Sequence, residues 1–522
     1  MTLLKNKKTL LLILLAFIFS FSMRLIWVYQ FSESPQFKFN DEFMINTNDG
    51  YFYAEGTRDI LAGKIENTND LSPFKSAVSV FTAAVVKVVP FSLETVLFYM
   101  PAFFASLLVI PIILISKEFE KVEAGFIAAL IGSIAWSYYN RTMVGYYDTD
   151  FLNIVFPTVL LWSLIWAIRT GEEKYLLLAG LDSIAYRWWY PQSYSLEFAF
   201  IALIGLYIIY QYVKKEEFKT NLLLVTFMLF AMVNIDSLMR FIIIIGFYFI
   251  LKIKKELVFK NIYFIFFSAL FVFFITGGFD PIISQLKGYV FREAYISTNS
   301  ELKLHFFTVM QTIREAGAIS FETFANRISG HTVTFIVSLI GYIWMSIRFP
   351  VMLLALPMLG LGFLAYGIPG IINGGGLRFT IYAVPVLALG FGYIVYELSL
   401  WISKQFIEGM ARKISKYFFM ILFTLLGLTP NIQHIIEYKV PTVFVKQEVE
   451  VLDRLKNIAN REDYVVAWWD YGYPLRYYSD VKTLIDGGKH SGSVNFPVSY
   501  ILNSSQDKSA IMARLDVEYT EK

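Results

Sequence analysis

The sequence predicts an α-helical polytopic membrane protein that ends in a polar tail, and three observations carry the prediction. The 522 residues are 56% hydrophobic and 18% aromatic, with a mean hydropathy of +0.54, which is too apolar for an ordinary soluble chain. Apolar runs near the length that crosses a bilayer recur along the sequence. Lysine and arginine gather in alternate connections between those runs, and in such proteins this distribution says more than the formal net charge of +3. The absence of cysteine excludes disulfides, thiolate catalysis and thiolate-bound metal without identifying a compartment.

Lys5, Lys7 and Lys8 precede the apolar run 10–28, which is long and lacks a small-residue cleavage site, so it reads as a retained first span. Further spans are predicted at about 96–115, 124–138, 151–168, 175–187, 193–212, 221–233, 238–251, 261–276, 333–347, 351–366, 379–401 and 417–429, about thirteen in all. Alternation sorts the connections into two sets. The first carries Lys117 and Lys121, Arg169 and Lys174, Lys214 and Lys215, Lys252 to Lys260, Arg348, and Lys404 to Lys416; with the N-terminal lysines it is basic throughout and therefore cytoplasmic. The second holds two long loops, 29–95 and 277–332, the turn 139–150, and the tail. An odd number of spans places this set on the outer face, dividing the chain into a membrane unit, 1–430, and an outer unit, 431–522.

The outer connections share acids. Asp49 stands in Asn48-Asp49-Gly50, Asp148 and Asp150 in Tyr146-Tyr147-Asp148-Thr149-Asp150 at the mouth of the fourth span, and Glu315 in Gln311-Thr312-Ile313-Arg314-Glu315. Four carboxylates on one face suit an oxygen-loving divalent cation, Mg²⁺ or Mn²⁺, although each alone also fits a solvated span mouth. Arg378 follows Gly374-Gly375-Gly376, and its planar fork suits a phosphate, as it also suits snorkelling at an interface. Arg141 precedes Asp148 by seven residues, and His490 closes Asp486-Gly487-Gly488-Lys489-His490, where an ordinary surface histidine is the competing reading.

In the tail, Tyr464-Val465-Val466-Ala467 reads as a short buried strand leading to Trp468-Trp469-Asp470-Tyr471-Gly472-Tyr473-Pro474, where Gly472 and Pro474 are expected to break any regular element. A Trp N–H only donates, an ionised Asp only accepts, and a hydroxyl does both, so this turn could form a pocket for one alcohol group. A packed aromatic corner would use the same residues. Asp182, after Gly180 inside a predicted span, has no assigned use.

Taken together these residues resemble the catalytic-subunit family of oligosaccharyltransferases, and within it the bacterial single-subunit members. The Trp-Trp-Asp-Tyr-Gly block carries the resemblance. Asn48-Asp49-Gly50, Asn140-Arg141-Thr142, Asp148-Thr149-Asp150, Trp188-Trp189-Tyr190-Pro191, Thr312-Ile313-Arg314-Glu315 and Gly376-Leu377-Arg378-Phe379-Thr380 match in order, over essentially the whole chain. The resemblance implies about thirteen membrane helices of GT-C type followed by a partial α/β periplasmic domain. It implies a monomer in the bacterial inner membrane, with a cytoplasmic N-terminus, lipid around it and no nucleic-acid partner. The implied activity is metal-dependent, inverting transfer of an oligosaccharide from a polyprenyl-pyrophosphate carrier to the Asn of an acceptor sequon.

By the same resemblance Asp49, Asp148 and Glu315 would ligate Mg²⁺ or Mn²⁺, with Asp150 an auxiliary ligand and Arg141 holding the carboxylates, while Asp49 and Glu315 would also accept the acceptor amide N–H groups. Tyr289, Arg378, Tyr473 and His490 would contact the lipid-linked pyrophosphate. Trp468, Trp469 and Asp470 would bind the Ser or Thr hydroxyl two residues after the acceptor Asn, and Arg327 would read an acid two residues before it. Family members usually continue well past the point matching Lys522, and a Met-x-x-Ile element completing the hydroxyl pocket lies there, so a truncated outer domain is expected. Three other readings share some features. Another polyprenyl-phosphate-dependent glycosyltransferase would not need the Trp-Trp-Asp pocket, a transporter or flippase would place ionisable residues near span midpoints, and a truncated homologue would be inert. Asn140-Arg141-Thr142 and Asn503-Ser504-Ser505 spell a sequon without a preceding acid and are read as coincidence.

Overall fold

The computed structural model describes residues 7–65, 71–285, 319–367, 375–405, 409–490 and 492–521, so the predicted site residues Tyr289 and Glu315 lie outside the described residues. A helix lies at each of the thirteen predicted spans. Among the described residues six helices are long and apolar enough to cross a bilayer: Lys7–Phe31, Leu93–Glu118, Asp150–Thr170, Pro191–Lys214, Leu377–Ser403 and Met410–Glu437. The pair Phe321–Ser329 and Thr332–Arg348, bent by 69°, makes a seventh if it counts as one span. Several of the others are short: Lys219–Met232 has 14 residues, or about 21 Å of helix against a hydrocarbon core of about 30 Å. Exposed apolar rows, such as Phe264, Phe267, Phe271 and Phe274 on Ile262–Ile275, fit a hydrocarbon environment.

Small residues let the central helices approach closely, as is usual where lipid provides no hydrophobic drive between helices. A Cβ on Gly390 would stand 2.2 Å from the Ser338 carbonyl oxygen, and one on Gly392 2.2 Å from that of Ala124. Gly180 likewise sits against Ile244, while Asp182 beside it is buried with Oδ2 unpartnered among the described residues.

The loop 29–95 is more structured than the sequence suggests. It carries the helix Asn48–Ala62, which starts after an extended Thr47 and stops at Gly63 with φ +71°, and the helix Ala77–Val88. In the tail, Lys446–Leu455 is followed by the strand Tyr464–Val465, which pairs in parallel with Lys482–Thr483 across the helix Gly472–Ser479. The strand is therefore two residues long and half-buried, shorter than the four expected. The expectation that Gly472 and Pro474 end regular structure is corrected: they open a helix. Proline costs nothing in a first turn, where its missing N–H would have no helical partner. Gly472 is needed for closeness, since a Cβ there would stand 2.6 Å from Asp486 Cβ. Asn495–Asn503 and Gln506–Asp516 complete the described tail.

Candidate active site

The acids are brought together by backbone contacts. Asn46 donates its backbone N–H to the Gly145 carbonyl at 3.0 Å and its side-chain amide to that of Val144 at 3.0 Å, so the approach to the Asn48–Ala62 helix lies along the turn before Asp148. The helix then starts against that turn: a Cβ on Gly50 would meet the Tyr147 carbonyl oxygen at 2.6 Å and Ile45 Cδ1 at 2.8 Å. Asp49 thus falls in a first helical turn, where the helix dipole favours a carboxylate, beside Asp148.

Asp148 Oδ1 accepts from the Thr149 N–H at 2.6 Å, and Oδ2 lies 4.0 Å from Arg141 Nη2. Arg141 Nε donates to Asp150 Oδ2 at 2.5 Å. Burial pushes the Asp148 carboxyl up to about 8, with Asp150 and then Asp49 adding to the rise, while Arg141 and the Thr149 N–H oppose it. Arg141 stands on a turn secured by Arg24, a fully buried arginine that sequence reasoning passed over. Arg24 donates to Thr142 O at 3.0 Å, Thr142 Oγ1 at 2.8 Å, Ser133 O at 2.8 Å and Ser20 Oγ at 2.8 Å.

The tail supplies the facing wall. Trp469 stacks on the His490 ring at 4.2 Å and 15°. His490 Nδ1 lies 3.1 Å from the Asp486 carbonyl oxygen, which can only accept, so Nδ1 carries the proton. Its Nε2 is buried without a partner among the described residues. Burial raises the Asp470 carboxyl, and His490 pulls it back. The loop after Asp486 passes over the acids: a Cβ on Gly487 would stand 2.5 Å from the Tyr473 ring and 3.3 Å from Asp49 Oδ1.

A cavity of about 720 Å³ lies between the walls. Of the residues singled out in the sequence, Asp49, Arg141, Asp148, Asp150, Arg378, Trp469, Asp470 and His490 line it. Tyr473 does not: its ring is buried behind the wall, 4.9 Å from Phe52, and burial followed by Asp486 and Asp49 raises its phenol. Trp468 lies outside the lining, more exposed than Trp469, and Arg327 stands on Phe321–Ser329 with Nε 3.4 Å from Thr380 Oγ1. The sequence reading missed Asn153 and Tyr382, which line the cavity and are hydrogen-bonded at 3.2 Å. A carboxamide one turn past Asp150, at a span mouth, was the available signal.

Among the described residues no three carboxylate or imidazole groups form a ready ion cage. The chemistry of the donors nevertheless fits a hard divalent cation: Asp49, Asp148 and Asp150 face one cavity, and burial first, then the two neighbouring carboxylates, only partly answered by Arg141, raise Asp148.

Residues 8–436 match the family model described as oligosaccharyl transferase STT3, N-terminal, and residues 461–522 match that of the STT3/PglB/AglB core domain. An undecaprenyl-diphosphooligosaccharide–protein glycotransferase of Campylobacter jejuni (strain RM1221) is 44% identical over 512 residues, covering 98% of this chain and 69% of the relative. A dolichyl-phosphooligosaccharide-protein glycotransferase of Methanococcus voltae is 30% identical over 122 residues, 21% of this chain and 13% of that one. The solved oligosaccharyltransferase AglB of Archaeoglobus fulgidus, in complex with an inhibitory peptide and a dolichol-phosphate, superposes with a TM-score of 0.64 at 14% identity, over 98% of this chain and 69% of that one. An Archaeoglobus fulgidus oligosaccharyltransferase in the apo form gives 0.65 at 14% identity, over 98% of this chain and 69% of that one. At that identity the superposition speaks for the fold, and the sequence matches speak for the family. A family model spanning most of the chain, together with 44% identity over nearly all of it, makes the chain a member of the STT3/PglB family of oligosaccharyltransferases.

Proposed function

We propose that the chain transfers an oligosaccharide from a polyprenyl-pyrophosphate carrier to the side-chain nitrogen of an acceptor asparagine in an Asn-x-Ser/Thr sequon, inverting the anomeric centre. The observation that carries this reading is the single cavity faced by Asp49, Asp148 and Asp150 on one side and by Trp469, Asp470 and His490 on the other. A carboxamide nitrogen is a poor nucleophile because its lone pair is shared with the carbonyl. Asp49 accepts one amide N–H and Glu315, which lies outside the described residues, the other, turning the lone pair toward the sugar. As the N–C1 bond forms and the C1–O bond breaks, the pyrophosphate leaves with the electron pair. Arg378 meets the growing negative charge, with the His490 ring beside it in the lining and Tyr289, outside the described residues, assigned to the same group. Asp49, Asp148, Asp150 and Glu315 would hold Mg²⁺ or Mn²⁺, and such an ion, when bound, would supply Lewis-acid neutralisation of the pyrophosphate charge.

Trp469 and Asp470 take the hydroxyl two residues after the acceptor, with Trp468 adjoining them outside the cavity lining. A site whose polar groups need that hydroxyl rejects an acceptor lacking it by a factor on the order of 10⁴. Arg327 takes an acid two residues before the Asn. The protein is assigned to the bacterial inner membrane as a monomer, with the cavity and tail on the periplasmic side. The test is to incubate the protein in detergent with lipid-linked oligosaccharide, Mn²⁺ and an Asp-x-Asn-x-Thr peptide. The expected result is a glycan mass on the Asn, none on an Asn→Gln peptide, and none with EDTA in place of Mn²⁺. Glycan on the threonine hydroxyl instead would assign the chain to a different transfer.

A further inference from the structure

We propose that Arg476 is a positioning residue that holds the Asp49 wall and the Trp469–His490 wall of the cavity in register. The inference rests on the reading above, in which those walls are two halves of one site. Arg476 is 2% exposed and contacts three separate segments. Its Nη2 lies 2.7 Å from Glu55 Oε2, an ion pair by distance rather than an aligned hydrogen bond, and Glu55 is less than two turns beyond Asp49 on the same helix. Its Nη1 donates to Asp486 Oδ2 at 2.8 Å, and Nη2 also donates to the Leu71 carbonyl. The other oxygen of Asp486 accepts the Gly488 and Lys489 N–H groups at 2.9 and 3.0 Å, so the same carboxylate shapes the turn that leads to His490. The guanidinium also lies 5.7 Å from the Tyr473 ring and 6.0 Å from that of Phe52, one from each wall.

A buried arginine with two buried acids is weak evidence for stability, because desolvation offsets most of the attraction. A rigid planar fork specifies angle and distance, which a single lysine nitrogen cannot reproduce. The position of this fork gives it a use: one arm meets the helix that carries Asp49 in its first turn, and the other meets the loop that crosses Asp49 at Gly487. A second ionic cluster joins the same two units farther along the helix. There Arg58 Nη2 and Lys64 Nζ each lie 2.8 Å from an Asp480 oxygen, and Arg461 reaches Asp59. That cluster is partly exposed and none of its members lines the cavity, so it can keep the units attached while leaving their register loose.

The chain has no cysteine, so a pair of spin labels on Ala62→Cys and Arg454→Cys reports the distance between the loop helix and the tail directly. In detergent-purified protein we compare the parent with Arg476→Met, Arg476→Lys and Glu55→Gln. Three quantities are read: the label distance distribution, the affinity for a fluorescent sequon peptide, and the transfer rate at saturating peptide. Arg476→Met should broaden the distribution, change peptide affinity by less than about threefold, and lower the saturated rate on the order of 100-fold, the usual effect of a misplacement near 1 Å. Arg476→Lys should recover part of both the narrow distribution and the rate. If Arg476→Met fails to fold, Glu55→Gln carries the test with a smaller change in the same direction. An unchanged distribution would overturn the clamp, because the Asp480 cluster would then suffice. Peptide affinity falling in step with rate would reduce Arg476 to support for the pocket. A broadened distribution with an undiminished rate would leave the clamp standing and sink the two-wall reading of the site.

Discussion

Replacing Gly50 by alanine tests whether the separation of Asp49 from Asp148 is set by a backbone contact. The new Cβ would stand 2.6 Å from the Tyr147 carbonyl oxygen, where ordinary contact begins at 3.4 Å, so the segments must part by up to roughly 0.8 Å. The obstructing atom is backbone, one residue before Asp148, and cannot swing aside. Overpacking of this kind costs about 1–3 kcal/mol in stability, and displacing a catalytic group by about 1 Å lowers rate by a factor on the order of 10². The control is Gly56→Ala on the same helix, whose Cβ would stand 2.5 Å from Ser79 Oγ and 2.8 Å from the Pro73 backbone, away from the acids. Both variants should melt earlier than the parent. Per folded molecule, peptide glycosylation should fall 10- to 100-fold for Gly50→Ala and stay within about threefold for Gly56→Ala. Equal losses in the two would mean that helix docking, not the Asp49–Asp148 spacing, controls the reaction. An unchanged Gly50→Ala rate would remove the spacing argument altogether.

Asp49→Ala combined with Glu315→Ala should abolish transfer without lowering the melting temperature, since loss of Asp49 relieves repulsion on Asp148; residual glycosylation of a sequon peptide in membranes would contradict the mechanism. Arg327→Leu should weaken transfer to an Asp-x-Asn-x-Thr peptide at least tenfold more than to its neutral counterpart, and equal loss on both would count against an acid-reading role. Burial pushes the Glu55 carboxyl up to about 7, more than the nearby Arg476 and Arg58 pull it down. A raised acid binds its proton more tightly in the folded state. Its contribution is therefore present in full below about 4.5 and lost as pH rises through about 7. The melting temperature should accordingly fall between pH 5 and 8, and Glu55→Gln should make that decline shallower; an identical slope would show that Glu55 does not titrate there.

Much of the membrane unit was legible because an apolar run has few alternatives to a helix. Whether a run crosses the bilayer was less so: Lys219–Met232 and Ile262–Ile275 read as spans from their composition but have only 14 residues each. Within the loop 29–95, Ala77–Val88 is an apolar helix of 12 residues that the sequence reading did not single out. In the tail, Gly472 and Pro474 follow local rules for chain breaking, yet at a helix start the same properties are harmless. Trp468 and Trp469 are equivalent in sequence, and only the turn into that helix decides that Trp469 faces the cavity and stacks on His490.

The site itself was legible as a set of residues but not as an arrangement. Asp49, Asp148 and Asp150 come from the first third of the chain and the Trp469–His490 wall from a segment more than three hundred residues later, and no local pattern records their distance. Two kinds of contact supply it. Gly50 against Tyr147 fixes the acids by excluding a side chain, a constraint that any larger residue violates. Arg476 between Glu55 and Asp486 fixes the facing wall by charge and angle, which weakens when one partner is changed but does not block approach. The acid wall should therefore be the stiffer of the two, and variation in acceptor preference should map to the tail side of the cavity. Substitutions around Trp469, Asp470 and His490 should change which peptides are accepted while metal dependence stays constant, whereas substitutions around Asp49 and Asp148 should change metal dependence for every peptide alike.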